Sequence, residues 1–144
     1  MTFLLDTNVV SELRKHRRAH PAVIAWMQPR SSRSFFLSTI TIFELELGVL
    51  LKARKDVLQA AVLREWLDEQ ILPGFSDRIL PVDLAVAKQC ARLHVTRTHP
   101  HRDAMIAATA LVHGLRLVTR NVKDFRTTGV PMVNPWDTRG PESA

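Results

Sequence analysis

Phe3-Leu4-Leu5-Asp6-Thr7-Asn8-Val9-Val10 is the stretch whose reading decides the fold. A short apolar run stops at an acid, and an amphipathic segment begins at once. Thr2 to Leu5 reads as a buried strand, with Thr7 or Asn8 placed to cap a helix over Val9 to Arg14. In an open parallel sheet, ligands bind just past the carboxyl ends of the strands. An acid at position 6 is therefore either a helix cap or one wall of an active site.

The same alternation runs along the rest of the chain. Apolar strands are predicted at 34–37, 78–82, 115–119 and 130–133. Helices are predicted at 21–27, 39–51, 57–72, 84–95 and 103–113, with a turn or short helix over 121–125. Pro21 suits a first helical position, where its missing N–H costs nothing. Pro73-Gly74 and Gly114 are stop signals. The segment 39–51 is apolar nearly all round and reads as a buried helix, with Glu44 and Glu46 inside it. Short buried strands alternating with helices imply one α/β domain, a parallel sheet of about five strands covered on both faces. The domain is expected over residues 1–136, with 137–144 a flexible tail.

At 144 residues and 46% hydrophobic, the chain is long enough for a proper core. No apolar run reaches the ~18 residues of a membrane span, and the N-terminus lacks the pattern of a secretory signal. The single cysteine, Cys90, has no internal partner, which fits a reducing compartment and reads as a packed helix position. Twenty Lys and Arg against 14 acids give a net charge of +6, which attracts polyanions. The excess is clustered: Arg14, Lys15, Arg17, Arg18, Arg30 and Arg33 form one group, and Arg92, Arg97, Arg102 with His94, His99 and His101 form another. His99 and His101 are candidate substrate contacts beside Asp103. The six histidines lack the spacing of a zinc motif. Trp26, Trp66 and Trp136 read as core or interface residues.

Four acids sit where a strand has ended or a helix is starting: Asp6, Glu44, Asp103 and Asp124. Each has a plain structural alternative. Asp6 fits a helix cap, and Thr41-Ile42-Phe43-Glu44 fits a capping box. Asp103 fits the positive end of a helix dipole, worth about 0.3–1 kcal/mol. Asp124 fits a cap with Asn121. Together the four acids argue for more, because a parallel sheet brings all of these positions to one edge. Carboxylates crowded in one cleft repel each other and require a cation, and hard oxygen donors suit Mg²⁺ or Mn²⁺. A bound ion of that kind activates water against a phosphodiester, and a basic flank holds the backbone. Acid cluster and basic flank together point to a metal-dependent nuclease. The competing reading is a non-catalytic basic α/β module that grips nucleic acid or an acidic protein. A glycine-rich dinucleotide turn is absent after the first strand.

Leu4-Leu5-Asp6-Thr7-Asn8, Ser38-Thr39-Ile40-Thr41-Ile42-Phe43-Glu44-Leu45-Glu46-Leu47-Gly48, Asp103-Ala104-Met105-Ile106-Ala107-Ala108-Thr109-Ala110 and Val118-Thr119-Arg120-Asn121-Val122-Lys123-Asp124-Phe125 resemble the PIN-domain ribonucleases. More closely they resemble the VapC toxins of bacterial toxin–antitoxin pairs. Ile79-Leu80-Pro81-Val82-Asp83 and Val133-Asn134-Pro135-Trp136 are similar to the FitB-like branch. The resemblance runs in order from residue 3 to about 136. It implies a Rossmann-like sheet, a Mg²⁺ or Mn²⁺ site and endonucleolytic cleavage of RNA in the bacterial cytoplasm. It also implies a cognate VapB-type antitoxin that blocks the cleft, a homodimer and a toxin–antitoxin hetero-oligomer, with operator DNA reached only through the antitoxin. Position by position, Asp6 and Asp103 match metal ligands and Glu44 matches the acid that holds metal-bound water. Thr7 and Asn8 match residues that orient Asp6, and Thr119 matches a hydroxyl lining the cleft. Many members carry an Asp where this chain has Asn121, while Asp124 stands where others have Glu or Asp. Trp66, Leu63 and Leu67, or Val49 and Leu50, are the expected interface positions.

Overall fold

The computed structural model describes residues 1–138. Five strands form one parallel sheet in the order β3-β2-β1-β4-β5, with β1 Phe3–Leu5, β2 Phe35–Ser38, β3 Ile79–Leu80, β4 Arg116–Val118 and β5 Met132–Val133. The chain steps outward from β1 to β3, then returns to the other side of β1 for β4 and β5. The reversal falls between β1 and β4, and a crevice opens at such a switch point. Leu5 lies opposite Val118, so Asp6 and Thr119 emerge side by side from that crevice.

Successive strand residues face opposite ways, and the core divides accordingly. Phe3, Leu5, Leu37, Val118 and Val133 point to one layer, with α1 (Thr7–Leu13), α2 (Pro21–Met27), α3 (Thr39–Ala53) and α4 (Val57–Trp66) packed over it. Leu4 and Leu117 point to the other, beneath α6 (Leu84–Thr96), α7 (His101–His113) and the short α8 (Val122–Phe125). Ala104, Ala107, Ala108 and Ala110 are wholly buried in α7, and their small side chains let that helix lie close to the sheet. Gly114 ends α7 at φ 65°, a left-handed position that favours glycine.

Several predicted boundaries shift for identifiable reasons. Helix α1 begins at Thr7 rather than Val9, because Asp6 is itself the cap and its Oδ1 accepts from the Thr7 N–H. The predicted 57–72 helix is α4 followed by one wide π turn at Leu67–Ile71 and a last turn, α5, at Leu72–Gly74. Trp66 and Leu67 are adjacent and both buried. The strand predicted at 78–82 shrinks to Ile79–Leu80, since Pro81 has no N–H to continue the ladder; Arg78 before it turns its guanidinium inward, donating to the Phe35 and Gly74 carbonyls at 3.0 and 2.8 Å. The strand predicted at 130–133 begins at Met132; Pro131 has no N–H, but its carbonyl accepts from Leu117 N–H at 2.8 Å.

The reading of 39–51 as a buried helix is corrected. Only one face of α3 is covered, by Thr41, Leu45 and Val49, while Phe43, Leu50 and Leu51 are each about half exposed. Helix α4 adds exposed Val57, Leu58 and Val62. Leu67 is wholly in the core, Trp66 and Val49 are core residues whose edges line a surface groove with Leu63, and Leu50 is exposed. Trp26 packs beside Phe3 in the core, and Trp136 sits against the same layer. Of the predicted tail, residues 139–144 lie outside the described residues.

Candidate active site

Asp6 is the centre of the site, 6% exposed at the mouth of the switch-point crevice. Three neighbours fix its carboxylate. The Thr119 hydroxyl donates to Oδ2 at 2.7 Å, the Thr7 amide to Oδ1 at 2.8 Å, and Asn8 Nδ2 reaches Oδ2 at 3.4 Å. Asn8 Oδ1 in turn accepts from the Arg120 N–H at 3.4 Å, and Thr119 Oγ1 accepts from the Asn121 N–H at 3.0 Å. The loops after β1 and β4 are thus tied to each other through the shell of one acid.

Glu44 enters from α3. Its Oε1 accepts from the Thr7 hydroxyl at 2.5 Å, and the wholly buried Thr41 stands 3.2 Å from the same hydroxyl. Thr41 and Glu44 are one helical turn apart, so both face α1. Glu46, two residues on, faces elsewhere and forms a forked ion pair with Arg64 on α4, at 2.7 and 2.5 Å. Spacing alone does not separate these two acids; the helix phase does. The capping-box alternative for Glu44 is also removed, because Ser38 is the cap of α3, its hydroxyl accepting from the Ile40 N–H at 3.0 Å.

Asp103 stands in the first turn of α7, half-buried. Asp124 and Asn121 are exposed at the far wall. The Asn121 side chain makes no capping bond, so Asp124 is not a cap partner; only its N–H reaches the Asn121 carbonyl, at 3.0 Å.

Electrostatics join these acids. The Asp6 carboxyl is pushed up to about 6, chiefly because burial strips its charge of water. The bonds from Thr119 and Thr7 pull it down, and the charges of Glu44 and Asp103 push it up further. Asp103 is raised as well, first by burial, then by Asp124 and Glu44, with Arg102 and His99 opposing. The charge of Glu44 therefore bears on both Asp6 and Asp103, and that of Asp124 on Asp103. Among the described residues no three acid or imidazole side chains form a ready three-ligand metal cage. Mg²⁺ keeps most of its waters and takes only one or two carboxylates directly, so the donor set fits such an ion. Buried, repelling carboxylates with raised proton affinity are what a divalent cation neutralises.

The predicted basic clusters resolve unevenly. Lys15 pairs with Glu12 and Arg33 with Asp77, while Arg30 stacks on Trp26, so the first run is not one patch. Arg14 lies over the Trp66 ring beside Glu44, in a groove of about 370 Å³ that Lys52 and Gln59 also line. In the second cluster, Arg97 and His99 line a small cavity with Lys123 and Asp124. His94 sits between His99 and His101, ring centroids 5.8 and 5.4 Å away. His99 is buried, while His101 is exposed. Thr41, one turn before Glu44, is a further residue of the site that no motif marks, although that spacing is a signal present in the sequence.

The sequence model of the PIN domain matches residues 3–130. The chain belongs to the PIN-domain family. This PIN domain is 40% identical over 140 residues to the protein named Toxin FitB of Neisseria gonorrhoeae, across 92% of this chain and 97% of that one. It is 35% identical over 141 residues to the VapC ribonuclease Y4jK of Sinorhizobium fredii, across 93% and 97%. It superposes with a TM-score of 0.85 on FitAcB from Neisseria gonorrhoeae, at 37% identity, covering 94% of this chain and 99% of that one. FitAB bound to an IR36 DNA fragment superposes at 0.84 with 34% identity, over 96% and 99%. No helix among the described residues of this PIN domain is long and apolar enough to cross a membrane.

Proposed function

We propose that this PIN domain is the endoribonuclease toxin of a toxin–antitoxin pair, hydrolysing RNA phosphodiester bonds with Mg²⁺ or Mn²⁺ and silenced by a cognate VapB-type antitoxin. One observation carries the reading: at the switch point of the sheet the buried Asp6 lies within reach of the charges of Glu44 and Asp103, and Asp103 within reach of Asp124, acids drawn from four separate segments. Relatives that match nearly end to end carry the names VapC ribonuclease and Toxin FitB.

Asp6 and Asp103 are the residues that would hold the ion, which when bound would supply an activated water and positive charge to offset that of the phosphate. Thr119 and Thr7 keep Asp6 ionised and aimed, and Asn8 ties its orientation to the loop after β4. Glu44, fixed by the Thr7 hydroxyl, accepts a proton from the attacking water. With Asn121 neutral, the far wall contributes one carboxylate, Asp124, which adds negative charge beside Asp103.

The partner reading is supported by the similar structures solved as FitAcB and as FitAB bound to an IR36 DNA fragment. A VapB-type antitoxin covers the cleft, the toxin self-associates as a homodimer, and operator DNA is reached through the antitoxin. The exposed apolar residues of α3 and α4 offer the surface for such contacts. Asp6→Asn and Asp103→Asn each abolish RNA cleavage while circular dichroism stays native. If both variants cut RNA at the wild-type rate in Mg²⁺, the assignment is wrong.

A further inference from the structure

Arg102 precedes Asp103 in the first turn of α7, with half of its side chain in solvent. Its guanidinium leans across the cleft toward α3. Nη1 stands 3.6 Å from Glu44 Oε2, beyond hydrogen-bond reach, and the guanidinium carbon lies 5.4 Å from the Phe43 ring centroid. The Arg102 side chain makes no hydrogen bond among the described residues. Two other arginines spend their donors differently. Arg64 grips Glu46 with both forks, and Arg78 donates to the Phe35 and Gly74 carbonyls and to Asp77. Arg102 is thus a cation at the edge of the acid cluster, steadied by a stacking face and a loose charge contact, with its donor fork unused.

A cleft of four carboxylates repels the very phosphate it is read to cleave. A planar guanidinium matches a phosphate in two-point geometry, and a stacked stem lowers the cost of ordering it. We propose that Arg102 grips the RNA backbone at this site: its fork leaves Glu44 and binds non-bridging oxygens of a phosphate beside Asp103, with Phe43 as the platform on which it turns. The same move frees Glu44 for its proton. The exposure of Phe43 acquires a reason, since a ring buried against α4 would give Arg102 no stacking face. This inference rests on the reading of the site as an RNA-cleaving centre.

The experiment measures kcat and KM on a mixed set of synthetic single-stranded RNA oligonucleotides in MgCl₂ across a NaCl series. The wild type is compared with Arg102→Met, Arg102→Lys and Phe43→Ala. Arg102→Met, which keeps an unbranched stem over Phe43, raises KM roughly tenfold or more and lowers the slope of log affinity against log salt by about 0.7, one phosphate contact on a single strand. Arg102→Lys restores the salt slope but recovers KM only in part, because the fork is gone. Phe43→Ala raises KM with the slope unchanged. Wild-type KM and slope in Arg102→Met overturn the inference and leave the site reading intact. So does a fall in melting temperature and kcat with an unchanged slope, which marks Arg102 as structural. A wild type that cleaves no RNA with Mg²⁺ or Mn²⁺ removes the site reading, and this inference with it.

Discussion

The Thr119 hydroxyl donates to Asp6 Oδ2 at 2.7 Å across 113 residues of sequence, and that bond sits where the strand order of the sheet reverses. It joins the ends of β1 and β4 and holds a buried carboxylate in its charged form against the cost of burial. Hydrogen bonds to charged groups contribute about 1.5–3 kcal/mol. Thr119→Val removes the donor while keeping the shape. The Asp6 carboxyl is then expected to rise above its present value of about 6, and the acid limb of the cleavage pH profile to move alkaline, with roughly tenfold lower rate at neutral pH. A profile superimposable on the wild type would show that the bond does not tune Asp6.

Burial of Asp6 also has a stability consequence in the metal-free protein. Its folded value of about 6 exceeds the ordinary 3.8, so between those limits the folded state binds more protons than the unfolded one. Stability therefore falls as pH rises through this window, and above it the full penalty stands, at most roughly 3 kcal/mol. Asp6→Asn is expected to melt a few degrees higher than the wild type at pH 8 without metal, with the gap closing near pH 4. Mg²⁺ is expected to raise the wild-type melting temperature more than that of the variant. Calorimetry at the two pH values, with and without MgCl₂, decides; equal melting temperatures at pH 8 contradict the penalty.

Glu44 and Glu46 differ by two residues and face different partners. Glu44→Gln is expected to cut cleavage by about 10²–10⁴-fold, as for loss of a general base. Glu46→Gln loses the exposed pair with Arg64, costs about 1 kcal/mol or less, and leaves the rate alone. Parallel single-turnover assays separate the two; comparable rate losses would mean that helix phase does not assign the roles.

The apolar residues left uncovered on α3 and α4 give a partner test. Leu58 is 83% exposed, so Leu58→Asp leaves the core untouched. It is expected to weaken capture of the cognate antitoxin by roughly tenfold or more, in line with loss of an apolar interface contact, while RNA cleavage by the free toxin persists. Titration calorimetry of the purified pair supplies the affinity, and an unchanged value would place the antitoxin elsewhere.

Much of this molecule was legible in its sequence because the signals are local. The apolar run Phe3-Leu4-Leu5 ahead of Asp6, Pro21 at a helix start and Gly114 at a helix end each depend on a few neighbouring residues. Asp6, Glu44, Asp103 and Thr119 were nameable because their motifs keep residue type and order. The sidedness of α3 was not: a nearly all-apolar helix carries no phase in its composition, and packing against α1 and α4 chose which face to cover.

By itself, then, the sequence determined the α/β class, the parallel sheet and the family, since these follow from short-range periodicity and fixed motifs. Only the tertiary structure decided which carboxylates share a cleft, that Glu44 rather than Glu46 enters it, and that Arg102 stands over Phe43 at its edge. It also decided which apolar residues face solvent and which, like Trp66 and Leu67, are core. The physical reason is strand register. Pairing Leu5 with Val118 and turning one helix by a fraction of a turn fix distances between residues far apart in sequence, and no local pattern encodes them.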